Sequence, residues 1–297
     1  MSLNAYSRQY RPLRPDTAQV QAAFDRAALT YDAAAVVQRQ AAQGLLAHLL
    51  AYADALNIPL PLSAPVLDAG CGTGYALPLL AQHCPGQPLL ALDVAPAMLR
   101  SSQHVLRGLQ STVPSLCATV CADLHALPLD AASLGLYWSS LALQWCHVPT
   151  ALTEARRVLR PQALLAAATM GPGTLAELAK AFAYVDTHRH VLAFDDAACI
   201  GAALTDAGLV DVQLHRASFT LHYPHLRDVL AAIKSVGANR VGPPARSPWI
   251  FAVGVPAVNG HHHGVDCQVA WAGPAVVGRM PGAVAGRVPV HCRPDRR

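Results

Sequence analysis

The chain has 297 residues, 53% hydrophobic and only 13% charged, which suits one large α/β domain or one domain with an appendage. No apolar run reaches the ~18 residues of a membrane-spanning helix. The net charge of +4 arises from the end of the chain, with seven Arg against two Asp from Arg240 onward and fifteen Lys plus Arg against sixteen Asp plus Glu before it, so it gives no ground for a nucleic-acid partner.

Residues 1–16 read as a mobile arm. Met1–Pro15 is polar, carries Arg8, Arg11 and Arg14, and lacks the apolar centre of a secretion signal, so a cytoplasmic protein is expected. Residues 17–55 form an N-terminal helical unit: Val20, Phe24, Ala27, Ala28 and Tyr31 recur at helical spacing, and Asp32 opens a second segment, Ala33–Ala53. After the proline-rich Asn57–Pro65, strands are expected at Pro65–Ala69, Pro88–Asp93, Cys117–Ala122, Ser133–Trp138, Ala163–Met170 and Val210–Thr220. Helices are expected at Tyr75–His83, Ala95–Gln110, Pro149–Leu159, Leu175–Tyr184, Asp195–Ala207 and His225–Val236. Such alternation implies βαβ units and a parallel sheet with helices on both faces. The strands read as continuous apolar runs because both faces are covered.

After Val241 the texture changes to Gly, Pro, Val, His and Arg. Only Trp249–Val255 suggests a strand there, and residues 242–297 read as a disordered tail behind a domain spanning 17–241. None of the eight cysteines form a CxxC pair, so free thiols are expected. His261, His262, His263, Cys267 and Cys292 match no zinc spacing, and no metal is expected.

The chemistry lies in the loop Asp68-Ala69-Gly70-Cys71-Gly72-Thr73-Gly74, between a strand and a helix. Gly70 and Gly72 let the backbone turn and approach a ligand, and Gly74 lets the helix pack near the strand. The spacing G-x-G-x-G, with an Asp two residues ahead, repels a phosphate and suits an ammonium group. Asp93 ends the next strand, where a carboxylate accepts from ribose hydroxyls or caps the following helix. Asp123, within Ala122-Asp123-Leu124, can accept from an adenine amino group. Leu124 and Met98 can flank the ring, with Met98 equally readable as core filling.

This ordered set resembles the class I methyltransferases over Val66–Met170. The resemblance implies a Rossmann-like sheet with a helical N-terminal cap, and S-adenosylmethionine held by Asp68, Gly70, Cys71, Gly72, Gly74, Asp93, Val94, Met98, Ala122, Asp123, Leu124 and Ser139. A narrower resemblance rests on Phe24–Asp32 (F-D-R-A-A-L-T-Y-D), Val37-Gln38-Arg39, Ser139–Cys146 (S-S-L-A-L-Q-W-C), Ala151–Pro161 and Met170–Leu175. These resemble the malonyl-acyl-carrier-protein O-methyltransferases of biotin synthesis, from about Phe24 to Asn239. That family esterifies the free carboxylate of malonyl-acyl carrier protein or malonyl-CoA, which implies a site with no general base, since the carboxylate is already ionised. Tyr31 would cover the methyl end of the cofactor, or pack helices. Gln144, Trp145 and Arg157 would meet the substrate, with local packing or a solvated helix face as the alternatives. The alternative activities are methylation of another small acid or a quinone-type ring, or cofactor binding by a protein disabled by its aberrant end. The resemblance also implies a final helix and an antiparallel strand. Their apparent absence after Val241, unless Ile250–Val255 substitutes, would leave a sheet edge bare.

Overall fold

The computed structural model describes residues 14–60, 63–110, 117–239 and 267–281. Three helices open it: α1 (Thr17–Ala27), α2 (Tyr31–Ala34) and α3 (Val36–Ala55). Next come β1 (Val66–Ala69), α4 (Ala76–His83), β2 (Leu89–Asp93), α5 (Pro96–Gln110), β3 (Cys117–Cys121) and β4 (Leu134–Ser140). A 3-10 turn at Leu143–Trp145 leads to α6 (Val148–Val158), β5 (Leu159–Ala168), α7 (Ala176–Ala183) and α8 (Ala197–Asp206). The remaining elements are β6 (Val210–Tyr223), α9 (Leu226–Ser235) and β7 (Cys267–Arg279). The seven strands form one sheet, ordered β3-β2-β1-β4-β5-β7-β6. Strands β1 to β5 pair in parallel, and β7 runs antiparallel to both β5 and β6.

The sheet separates two cores because side chains alternate along each strand. In β4, Leu136 and Trp138 join Leu45, Leu49 and Leu77 on one face, while Tyr137 joins Leu67, Leu152 and Leu165 on the other. Helix α6 shows why a helix forms on this second face. Val148, Ala151, Leu152, Ala155 and Val158 are buried at three- and four-residue spacing, and a proline stands in its first turn. Full burial of each Leu or Val contributes about 1.5–3 kcal/mol.

The N-terminal helical unit is broken in two places. Backbone bonds close a turn after α1, and the Thr30 hydroxyl shares its single proton between the carbonyls of Ala27 (3.1 Å) and Ser235 (3.0 Å). Strand β5 begins at Leu159, before the expected Ala163, with Gln162 at φ 65°.

The largest departure concerns the tail. Residues 267–279, expected within a disordered segment, supply the seventh strand, and Val276, Val277 and Met280 are buried. The edge expected to be bare is therefore filled. The sequence hid this strand because Gly273 and Pro274 interrupt it, and proline in a strand ordinarily argues against one. Here β5 pairs with β7 only from Ala275 onward, so Pro274 stands where β7 has a single neighbour. The expected strand Trp249–Val255 lies outside the described residues, as do most of the arm and of the His/Cys cluster.

Candidate active site

Parallel strands end on the same side of a sheet, so β1, β2, β3 and β4 deliver their following loops to one crevice. The glycine loop is pinned to β2 by the amides of Gly70 and Cys71, which donate to the Leu92 carbonyl at 2.8 and 2.9 Å. Gly70 has φ +78°, and a Cβ there would lie 2.3 Å from the Ala142 Cβ. At Gly74, with φ +91°, a Cβ would meet the Leu77 side chain at 2.9 Å and the Ser102 Cβ at 3.0 Å, which is the helix packing expected of this position.

Asp68 is buried, and its Oδ2 has no partner among the described residues. Burial, then the neighbouring Asp93 carboxylate, push its pKa up to about 8. It borders a cavity of about 50 Å³ with Tyr31, Gln38, Arg39 and Thr73. An unpartnered carboxylate there fits a cationic donor such as an amino-acid ammonium group.

Of the two roles weighed for Asp93, the structure shows the helix cap, together with a bond to the glycine loop. Its Oδ1 accepts the Ala95 amide at 2.8 Å, a helix-cap bond, and its Oδ2 accepts the Gly72 amide at 2.9 Å. Burial raises its pKa, and the amides of Ala95 and Gly72 oppose that rise without cancelling it. The carboxylate still lines a second cavity, of about 80 Å³, together with Val94, Ala122, Asp123, Leu124, Ser140 and Ala142. Asp123 accepts the His125 amide (2.9 Å) and faces His125 Nδ1 (2.6 Å) with Oδ1, and accepts the Thr17 hydroxyl (2.9 Å) with Oδ2. Burial pushes its pKa up, but the bonds from His125 and Thr17 and the adjacent imidazole outweigh this and hold it below the ordinary value.

Tyr31 borders both small cavities and a third of about 340 Å³. Burial, then the carboxylates of Asp93 and Asp32, drive its pKa upward, so it stays a neutral phenol. The large cavity runs over Phe24, Leu141, Gln144, Trp145, Met170 and Phe182 to Arg26 and Lys234. Trp145 meets Phe24 edge-on at 5.6 Å, and Gln144 is fixed by donating to the Leu141 carbonyl at 2.6 Å and accepting from Thr169 at 3.3 Å.

Three expected site residues are placed elsewhere. Met98 is fully buried and borders none of these cavities, so core filling describes it. Ser139 is also fully buried and donates to the Ala69 carbonyl at 2.8 Å; strand alternation puts Ser140 on the cavity instead. Arg157 binds Glu154 and the carbonyls of Leu127 and Leu129, all at 2.8–2.9 Å, which uses its guanidinium to hold a loop rather than a substrate. Gly74 packs a helix, while Gly70, Cys71 and Gly72 border the crevice.

Thr17, Thr73, His125 and Arg14 were not singled out by sequence reasoning. Arg14, read as part of a mobile arm, donates to the carbonyls of Gln144 (2.6 Å) and Ala193 (3.0 Å) and pairs with Asp195. No sequence signal marks it, since its partners lie more than a hundred residues away. Among the described residues no cluster of His, Cys, Asp or Glu could hold a metal ion, and no helix is long and apolar enough to cross a membrane.

Comparison with known proteins follows the same outline. The family described as "Methyltransferase domain" matches residues 67–167. The malonyl-[acyl-carrier protein] O-methyltransferase of Dechloromonas aromatica is 42% identical over 77% of this chain and 80% of its own length. The biotin biosynthesis bifunctional protein BioHC of Cellvibrio japonicus is 34% identical over 77% of this chain and 42% of its own length. Among solved structures, YcgJ of Bacillus subtilis aligns with a TM-score of 0.54 and 14% identity, covering 80% of this chain and 99% of that one, a likeness of fold.

Proposed function

We propose that this chain, which belongs to the malonyl-[acyl-carrier protein] O-methyltransferase family, transfers a methyl group from S-adenosylmethionine to the free carboxylate of malonyl-acyl carrier protein, an early step of biotin synthesis. The observation that carries the substrate reading is the large cavity that meets the glycine-loop crevice at Tyr31. Its described wall includes no Asp or Glu, is largely apolar, and carries Arg26 and Lys234. That lining suits an anion on an acyl arm.

The crevice fits the cofactor. Asp68 would meet its ammonium group, Asp93 its ribose, and Asp123 its adenine amino group between Val94 and Leu124. The sulfonium supplies an electrophilic methyl group that needs no metal. The chain's residues then have two tasks, alignment and exclusion of water. Trp145, Phe24 and Tyr31 form an aromatic wall where the two cavities join. Gln144, held from both ends of its amide, presents a fixed surface rather than a proton acceptor. None is required, because a carboxylate with a pKa of about 4 is ionised at neutral pH. A carrier-bound thioester substrate goes with a reaction in the cytoplasm.

The test is methyl-ester formation on malonyl-acyl carrier protein and, separately, on malonyl-CoA. Product with the carrier-bound substrate is expected. No product with either overturns the substrate reading.

A further inference from the structure

We propose that His125 is a positioning residue that orients the Asp123 carboxylate to select an amino-bearing purine over a 6-oxo purine; this rests on the cofactor reading above.

The torsion of an aspartate carboxylate is broad, so hydrogen bonds rather than rotamer preference set its plane. Three donors hold Asp123: the His125 amide at 2.9 Å and ring Nδ1 at 2.6 Å on Oδ1, and the Thr17 hydroxyl at 2.9 Å on Oδ2. The ring's protonation follows from its other side. The His147 amide donates to His125 Nε2 at 2.8 Å. A backbone amide only donates, so Nε2 bears no proton, and Nδ1 carries the ring's proton toward Asp123.

Each carboxylate oxygen has about two acceptor positions. Oδ1 is therefore filled, and Oδ2 keeps one. Asp123 lines the crevice with Val94, Ala122 and Leu124, so this remaining position is available to a flat base seated against that wall, which the His125 side of the carboxylate also borders. It accepts from an exocyclic amino group and repels a carbonyl oxygen. Without the imidazole, the carboxylate plane is held by two bonds rather than three, the backbone amide on Oδ1 and the Thr17 hydroxyl on Oδ2, and its orientation loosens. His147 stands at the entry to α6, two residues past Trp145, so the ring also ties the base wall to the turn bearing Gln144 and Trp145.

The test is calorimetric titration of the full chain with S-adenosylhomocysteine and S-inosylhomocysteine. His125→Ala is expected to weaken S-adenosylhomocysteine binding about tenfold while leaving the inosine ligand nearly unchanged, so the preference collapses. His125→Asn places an amide nitrogen where Nδ1 stands and is expected to restore the preference. His125→Gln places its nitrogen at Nε2 and is expected not to. An unchanged ratio in His125→Ala, or an equal loss for both ligands in every variant, overturns the proposal and leaves the cofactor reading intact. A parent chain that binds neither ligand overturns both.

Discussion

Asp68 must be ionised to meet an ammonium group, yet burial and Asp93 lift its pKa to about 8. A raised carboxylate pKa stabilises the ligand-free fold most below the ordinary value of 3.8, and that contribution is lost as pH rises toward 8. Cofactor binding runs the other way, because it draws on the ionised form. Affinity for S-adenosylhomocysteine is therefore expected to rise from about pH 6 and to level off only above about pH 8, where the free carboxylate becomes mostly ionised. Asp68→Asn is expected to weaken binding by about tenfold or more and to flatten that slope. An equal slope in the variant, measured by calorimetry, would sink the assignment. Gly70→Ala is expected to abolish binding and lower stability by about 1–3 kcal/mol, because the new methyl collides with Ala142 at a backbone angle that suits glycine; urea unfolding reads the second effect. At this scale the sequence was informative about which residues reach the crevice where spacing along a strand and its loop decides it, as at Asp68, Gly70, Asp93 and Asp123. It was uninformative where one residue of strand parity decides, as between Ser139 and Ser140. It also misled for Arg157, whose carbonyl partners at Leu127 and Leu129 lie on a separate loop.

The helices α1 and α2 form a roof fastened at its perimeter. Arg14 holds the Gln144 and Ala193 carbonyls, and Thr17 holds Asp123. The Asp25 carboxylate accepts the Ala97 amide at 2.8 Å, and the Thr73 hydroxyl donates to Asp32 at 2.6 Å. Every fastening reaches an element or loop that borders the crevice or supports it, so roof and site are stabilised together. Arg14→Ala is expected to lower stability by about 2 kcal/mol and to weaken S-adenosylhomocysteine binding several-fold, with faster amide exchange confined to α1. Unchanged exchange in α1 would count against the roof. Arg157→Ala gives the contrast. Its loop clamp is partly exposed, so thermal unfolding is expected to fall by only about 1 kcal/mol while the KM for the carrier-bound substrate stays put. The helical character of residues 17–55 and the opening of a second segment near Asp32 were legible in the sequence, but the placing of the breaks at Thr30 and Ala35 was not, because the Ser235 carbonyl facing the Thr30 hydroxyl belongs to the far end of the domain.

For the molecule as a whole, the parallel sheet through β5 could be anticipated from alternating strands and helices. The antiparallel end could not be read, since β7 carries Gly273 and Pro274 and follows a polar, glycine-rich stretch. Its position makes it decisive. A chain ending at Asn239 would leave β5 and β6 with unpaired edges facing each other across a strand-wide gap, and such edges invite association. That truncation is expected to be recovered as aggregate, read by size-exclusion chromatography, and a soluble monomer of normal far-ultraviolet dichroism would contradict it.

Because β7 lies between β5 and β6, the order of synthesis and the order of neighbours disagree. On the ribosome, β6 emerges before the strand it pairs with exists, and β5 waits with one side unmatched. Nucleation is thus confined to the β1–β4 half, whose strands meet their neighbours as they appear. The long-range closure through β7 is left as the late event. Pulsed hydrogen exchange during refolding is expected to protect β1 and β4 amides first and those of β6 last, and reversal of that order would place the slow step elsewhere.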